Sequence, residues 1–193
     1  MDGCLATTDQ GGIRIMSTVR EQQERLRVHI RWMIRRDMLE VLQTEQASFA
    51  SPWTEEDFLH SLRQRNCIGM VAEYNDRVVG FMIYELHKSR LHILNFAVHP
   101  DFRRHGIGTQ MVMKLAGKLS THRRTRITLL VRESNLAGQQ FFRAEGFMAC
   151  RVIRGHFEDT CEDAYQMEYS LEREAQVGGL YHPHNRIAQY EES

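Results

Sequence analysis

Two arginines and two glycines stand together where a strand pattern gives way to a helical one, in the run Arg103-Arg104-His105-Gly106-Ile107-Gly108. The strand-like run His92–Val98 precedes them and stops at Pro100, which cannot donate to a sheet ladder. Apolar residues at helical spacing follow from Ile107 onward. A helix N-terminus offers unpaired amides and a positive dipole end, and glycines let a ligand approach the backbone. These residues predict an anion-binding turn, with an ordinary tight strand-to-helix turn as the alternative.

Several classes of function are disfavoured by composition and motif. The pattern Arg-x-x-Gly-x-Gly is neither the dinucleotide fingerprint nor a P-loop. Lys+Arg and Asp+Glu balance at 25 each, so no global field attracts nucleic acid, and we expect no DNA partner. The sequence has no apolar run of the roughly 18 residues that cross a bilayer. The four cysteines are scattered, without metal-ligand spacing. We therefore expect a cytoplasmic protein, monomeric, with free thiols, no membrane contact and no metal.

The elements that position this turn follow from apolar periodicity. The predicted order is β-α-α-β-β-β-α-β-α-β-β, an α+β (mixed α/β) domain with one parallel crossover through the central helix. We place this domain at residues 28–171, after a disordered or marginally helical extension (1–27) and before a polar tail (172–193). The predicted strands begin at Val28 and then cover Ile68–Tyr74, Val78–Leu86, Leu91–Val98, Ile127–Val131, Phe147–Ile153 and Ala164–Leu171. The central helix is predicted over Gly106–Ser120, and an acidic loop over Arg154–Asp163.

Helix ends are predicted from capping residues. Asp37 is a candidate N-cap of the first helix, and Thr54 with Asp57 resembles a capping box for the second. Ser134 or Asn135 is expected to cap the last helix, and Gly146 to follow its C-terminus.

Three spaced motifs occur in a fixed order: the arginine-glycine turn, then Ser134-Asn135-Leu136-Ala137, then Phe141–Phe147. Together they resemble the GCN5-related N-acetyltransferase (GNAT) superfamily over residues 28–171. The runs Asn95–Pro100 and Val131–Asn135 are most similar to the bacterial ribosomal-protein alanine N-acetyltransferases. The resemblance implies a mostly antiparallel sheet with one splayed parallel strand pair, flanked by helices.

The resemblance also implies the co-substrate, acetyl-coenzyme A. The turn backbone would hold the pyrophosphate, strand backbone would pair with the pantetheine arm, and the last βα unit would contact that arm. The residues implied for coenzyme binding are Phe96, Ala97, Val98, Arg103, Arg104, His105, Gly106, Ile107, Gly108, Thr109, Asn135 and Phe142.

Two positions depart from the family pattern. The ribosomal-protein branch normally has a glutamate as general base at the position of Leu130, and a tyrosine that protonates the thiolate at the position of Phe142. His92 is the best replacement base, because its ordinary pKa near 6.5 suits neutral pH. The alternative is a plain solvent-side strand residue. Glu133 is a second candidate, with a helix-capping charge as its alternative.

The acceptor groove is implied by the same resemblance. Ser51-Pro52-Trp53 and the acidic loop correspond to its two walls. The residues expected to bind substrate are Trp53, Asn95, His156 and Glu158. The carboxylates of the loop would favour a cationic peptide end, and an ordinary solvated turn is the alternative.

The predicted activity is direct transfer of an acetyl group to a protein N-terminal α-amine, on a ribosomal-protein alanine. Such an amine has a pKa of about 7.7–8.0, against about 10.4 for lysine, so a weak base suffices to deprotonate it. The alternatives are acetylation of a small amine or polyamine, and a coenzyme-binding module with weak activity.

Overall fold

The computed structural model describes residues 25–120 and 122–171 and contains one seven-stranded sheet. The strands lie in the order β1-β2-β3-β4-β5-β7-β6, and only β4 and β5 pair in parallel. Their bounds are β1 His29–Trp32, β2 Cys67–Tyr74, β3 Arg77–Leu86, β4 Arg90–Val98, β5 Arg126–Arg132, β6 Met148–Phe157 and β7 Glu162–Ser170. The helices are α1 Met38–Ser48, α2 Glu55–Leu62, α3 Ile107–Ala116 and α4 Leu136–Ala144. This arrangement confirms the predicted fold class.

Each face of the sheet has its own apolar core. On one face the buried side of α3, including Ile107, Met111 and Leu115, packs with Phe142 of α4. On the other face Val41 of α1 and Phe58 of α2 form a second cluster with inward residues of β2, β3 and β4. The crossover helix α3 therefore lies opposite the α1–α2 pair, which leaves the end of β4 between the two layers.

The structure confirms most of the predicted local signals. Thr54 and Asp57 form a reciprocal capping box at the start of α2. The Asn135 side chain accepts from the Gly138 amide, 2.9 Å away, and caps α4. Gly146 follows α4 with a φ of 91°. These caps fix where each helix starts or stops, as their residue types predict.

Asp37 differs from its predicted role. It precedes α1, but its side chain caps no amide of that helix. The carboxylate instead accepts from the Ile34 amide at 2.8 Å and from both terminal nitrogens of Arg31, at 2.6 and 2.9 Å. A buried carboxylate is most stable when a guanidinium pairs with it, so the ion pair with β1 has taken the place of the cap.

Two boundaries also differ. Helix α3 ends at Ala116, and the chain continues in tighter i→i−3 bonds from Lys118 to Leu115 and from Leu119 to Ala116. Strand β6 runs on to Phe157, so the loop before β7 is only residues 158–161. Because β6 is an edge strand whose residues are all exposed or only partly buried, it lacks the apolar alternation by which strands are found in sequence.

The predictions for both ends of the chain fall mostly on residues 1–24 and 172–193, which lie outside the described part. Residues 25–28 are described, and they are not helical. Among the described helices, none has the length and apolar character needed to cross a membrane. No group of three potential metal ligands occurs within residues 25–120 and 122–171.

Candidate active site

The parallel strands β4 and β5 separate before they end. They pair only from Arg90–Arg126 to Ile93–Leu129, whereas β4 continues to Val98 and β5 to Arg132. A bulge in β4 falls at Leu94, just where the pairing stops. The last residues of β4 therefore have no strand partner on the β5 side, and this opening can accept an extended ligand arm by backbone hydrogen bonds.

The turn after β4 has the geometry of an anion site. Arg104 and Gly106 have φ values of 67° and 74°, so the backbone twice enters the left-handed region before α3 starts at Ile107. The first amides of α3 have no intrahelical acceptor. Left-handed residues beside such amides form the concave backbone nests that bind phosphate. The turn thus fits a pyrophosphate group, which supports the predicted phosphate site.

Some side chains of this turn have structural tasks. Arg103 donates to the Val98 carbonyl and to the Ser48 hydroxyl, both at 2.9 Å, and so ties the end of β4 to α1. Thr109 donates to Glu145 at 2.6 Å. A Cβ at Gly108 would lie 2.9 Å from the Phe141 ring, so this glycine allows α3 and α4 to pack closely. The predicted phosphate site would therefore depend on backbone amides more than on these side chains.

An aromatic cluster lines the α4 side of the opening. The Phe142 ring lies 5.8 Å from Phe96, 5.1 Å from Phe141 and 5.2 Å from Phe147, and the residue is 7% exposed. At the position where the family pattern has a tyrosine, this ring offers no hydroxyl. The structure therefore places an apolar wall, and no proton donor, at Phe142.

His92 points to the sheet face that α1 and α2 cover in part. Its neighbours Leu91 and Ile93 belong to the other core, and its cross-strand partners are Glu85 and Thr128. The Nδ1 atom lies 2.9 Å from the Thr128 hydroxyl oxygen. Burial, and then the nearby Arg90 charge, lower the pKa of His92 below its ordinary value. The imidazole is therefore neutral at neutral pH, which is the state a general base needs.

Leu130 and Glu133 occupy the end of β5 and the turn after it. Leu130 lies two residues after Thr128 on the same strand and so faces the same side as His92, but it carries no ionisable group. Glu133 is exposed, and its amide donates to the Asp163 carbonyl. His92 is thus the titratable group that the structure places one residue before the strands separate.

A buried carboxylate connects β4 to the loop between α1 and α2. Glu45 is 1% exposed, and it accepts from the Trp53 amide at 2.7 Å and from the Asn95 side chain at 3.1 Å. Burial raises its pKa above the ordinary value. Trp53 also packs edge-on against Phe58, with ring centroids 5.2 Å apart. Two predicted acceptor residues, Trp53 and Asn95, are therefore held by one side chain.

The second groove wall is held by Arg132 at the end of β5. Its guanidinium forms two bonds to Asp159, at 3.0 and 2.8 Å, and stacks 3.9 Å from the Phe157 ring centre. The Ser51 side chain, and then the Arg132 guanidinium, lower the pKa of Asp159 below its ordinary value, and this contact with Ser51 joins the two walls. Arg132 lies 3.4 Å from Glu162 as well.

Two predicted acceptor residues lie on this second wall. His156 is exposed near the end of β6, with its ring centre 4.9 Å from that of Phe157. Glu158 is exposed in the following turn, without an ion pair among the residues that the structure describes. Both remain predictions as acceptor contacts.

Three residues have roles in this site that were not predicted from the sequence, namely Thr128, Glu45 and Arg132. Thr128 is the one polar residue in the apolar run of β5, and it is 3% exposed. Glu45 follows Val41 by one helical turn and so falls on the buried stripe of α1. A polar residue on an apolar face is the signal that would have drawn attention to both. Arg132 carries no such signal, because its partner Asp159 is distant in sequence.

Comparison with known proteins identifies the family. The family model described as "Acetyltransferase (GNAT) family" matches residues 35–147. A relative from Salmonella typhimurium, named [ribosomal protein bS18]-alanine N-acetyltransferase, is 29% identical over 121 residues, which cover 63% of this chain and 81% of that protein.

Solved structures share the fold. The Escherichia coli ribosomal-protein-S18-alanine N-acetyltransferase superposes with a TM-score of 0.67 at 24% identity, covering 75% of this chain and 94% of that one. A GNAT family acetyltransferase from Elizabethkingia anophelis, solved with acetyl-CoA bound, gives a TM-score of 0.60 at 17% identity, with 75% and 98% covered. With the split strands, the phosphate turn and the family match, the chain belongs to the GNAT family and is an N-acetyltransferase.

Proposed function

We propose that this N-acetyltransferase transfers the acetyl group of acetyl-coenzyme A to the N-terminal α-amine of a protein, and that the acceptor is the terminal alanine of a ribosomal protein in the cytoplasm. The similarity to the bacterial ribosomal-protein enzymes supports the choice of acceptor. The observation that carries the proposal is the half-buried His92, whose Nδ1 atom meets the Thr128 hydroxyl one residue before β4 and β5 separate.

His92 is the general base in this proposal, and Thr128 positions it. The Thr128 hydroxyl can donate its one hydrogen to the Leu91 carbonyl, 3.5 Å away, and then accepts from Nδ1–H of His92. This assignment leaves the Nε2 lone pair free for the incoming ammonium. An α-amine needs only this weak base, since its pKa is about 7.7–8.0.

Acetyl-coenzyme A supplies the activated acyl group, and the amine attacks it directly in a ternary complex. In this proposal the amides at the end of β4, near Phe96 and Val98, polarise the thioester carbonyl, and the lack of a β5 partner there supports this role. Because Phe142 offers no proton, the departing thiolate takes its proton from water.

Charge in the second wall supports a cationic acceptor. The turn and its strand ends carry four carboxylates, namely Glu158, Asp159, Glu162 and Asp163, and two guanidiniums pair with them. The guanidiniums belong to Arg132 and Arg154, so two negative charges (4 − 2) remain in excess. This excess favours a protonated amine at the groove entrance.

The test measures thiol release from acetyl-coenzyme A with a peptide that begins with alanine. The control peptide has a blocked N-terminus and an internal lysine. We expect turnover with the free N-terminus alone. Equal turnover with the blocked peptide, faster turnover with a polyamine, or coenzyme binding without any turnover would each overturn the proposal.

His92→Gln tests the base on the same assay. We expect kcat to fall about 100-fold, because general-base assistance contributes about 10²–10⁴-fold. In the wild type, kcat should rise with pH through a pKa below 6.5 and level off by neutral pH, since only the neutral imidazole accepts the proton. The variant should lose that rise. The matched control is His87→Gln, because His87 pairs with Glu85 and its ring lies 6.3 Å from that of His92.

Thr128→Val tests the positioning role. This variant should show a smaller loss in kcat than His92→Gln, with an altered pH profile and an unchanged KM for acetyl-coenzyme A. An unchanged kcat and pH profile in both variants would remove His92 from the mechanism.

A further inference from the structure

The segment Arg25–Val28 lies against the phosphate turn, although it precedes the family match at residues 35–147. The Leu26 amide donates to the His105 carbonyl at 3.1 Å. The Gln110 side chain donates to the Leu26 carbonyl at 2.6 Å and accepts from the Val28 amide at 3.3 Å. These bonds fix the segment to the turn and to the first turn of α3.

The same bonds place the side chain of Arg25 at the start of α3. Its Cγ and Cδ atoms lie 3.6 and 3.8 Å from the position that a Cβ would take at Gly106. Gly106 is the residue immediately before the helix. The stem of Arg25 thus covers the glycine that precedes the unpaired first-turn amides of α3. Arg25 is exposed and has no acidic partner among the residues that the structure describes.

Of the two arginines in the turn, one is already held by hydrogen bonds to the protein, and the other is exposed. Arg103 is held by the Val98 carbonyl and the Ser48 hydroxyl. Arg104 is exposed. A coenzyme with several phosphate charges would therefore meet backbone amides and Arg104, but not a free Arg103 guanidinium.

We propose that Arg25 binds the phosphate groups of acetyl-coenzyme A, so that the segment preceding β1 forms part of the coenzyme site. Guanidinium groups pair well with phosphate oxygens, and a cation beside a helix N-terminus adds to the attraction of the amides. This inference rests on the coenzyme site and does not depend on which amine is acetylated.

The test compares Arg25→Ala with the matched charge control Arg27→Ala in the full chain, by calorimetric titration with acetyl-coenzyme A and no acceptor. Arg27 is exposed two residues along the same segment. We expect Arg25→Ala to weaken binding about fivefold at low salt, the size of one screened ion pair. The loss should shrink at high salt, Arg25→Lys should recover most of the affinity, and Arg27→Ala should bind as the wild type does.

A second probe separates charge from packing. Adenosine 3′,5′-bisphosphate carries phosphates but no pantetheine arm, and its affinity should also fall in Arg25→Ala. An unchanged affinity for both ligands, an equal loss in Arg27→Ala, or a loss that salt does not reduce would overturn the inference. Because no acceptor is present, failure of the proposed acetylation would leave this result intact.

Discussion

The coenzyme half of the site and its acceptor half are built in different ways. The proposed coenzyme half, which comprises the turn 99–106 and the first turn of α3, offers the backbone amides of one continuous segment. The acceptor half, which comprises the connection 49–54, the turn 158–161 and His92, is held by side chains from separate elements. The first should therefore be sensitive to backbone conformation, and the second to the loss of single polar groups.

Gly106→Val should have the largest effect on ligand binding, and it should change coenzyme binding alone. A β-branched residue at a φ of 74° is strained by about 2 kcal/mol, and relief of that strain would turn the amides away from the phosphate. We expect the affinity for acetyl-coenzyme A to fall about 30-fold, measured by calorimetry.

The control for this variant is Gly117→Ala, because Gly117 has an ordinary right-handed φ of −62° at the end of α3. It should bind acetyl-coenzyme A as the wild type does. If Gly106→Val also binds normally, the backbone geometry of the turn does not determine phosphate binding.

Arg132→Ala should have a smaller effect, and it should weaken acceptor binding alone. Loss of its paired bonds releases Asp159, and with it the contact to Ser51 that joins the two walls. A charge-assisted network of this kind contributes about 1.5 kcal/mol, so KM for the acceptor peptide should rise about tenfold. The affinity for acetyl-coenzyme A should not change.

Arg151→Ala is the matched control, because Arg151 is exposed on β6 outside this network. An equal rise in KM in both variants would mean that surface charge, and not the joined walls, sets acceptor binding. A fall in coenzyme affinity in Arg132→Ala would show that the two halves are coupled.

Glu45→Gln should have the smallest effect, which is a change in how the free energy of unfolding depends on pH. Burial raises the folded-state pKa of Glu45, so the carboxyl is protonated in both states at low pH and its charge opposes folding once pH rises past the ordinary pKa near 4.3. The glutamine keeps the shape without the charge: its oxygen accepts from the Trp53 amide, and its NH2 group donates to the Asn95 oxygen once that side-chain amide turns over. The variant should match the wild type near pH 4 and become the more stable protein toward neutral pH, measured by urea unfolding. If the variant instead becomes less stable than the wild type as pH rises, the carboxylate charge itself stabilises the Trp53–Asn95 link.

How much of the site the sequence predicts also differs between the coenzyme half and the acceptor half. The phosphate turn, the Asn135 cap and the capping box of α2 involve residues within a few positions of one another, and periodicity places them on known elements. The prediction for Asp37 is wrong, because the tight turn Arg35–Asp37 brings its carboxylate back to the Ile34 amide and to Arg31. The extent of β6 was missed, because an edge strand carries little apolar alternation.

The sequence by itself determined the order of elements and the family, and it predicts the backbone phosphate site, since each depends on short-range patterns that the chain must satisfy locally. Only the tertiary structure decided that Arg103 ties the end of β4 to α1 and that Thr128 contacts His92. It also decided that Arg132 and Ser51 both contact Asp159. The Thr128–His92 contact depends on the pairing of β4 with β5, and the contacts of Arg103 with Ser48 and of Asp159 with Arg132 and Ser51 join elements that are distant in sequence. Burial and hydrogen bonding at those meeting points, and not residue type, fix which side chains remain free for chemistry.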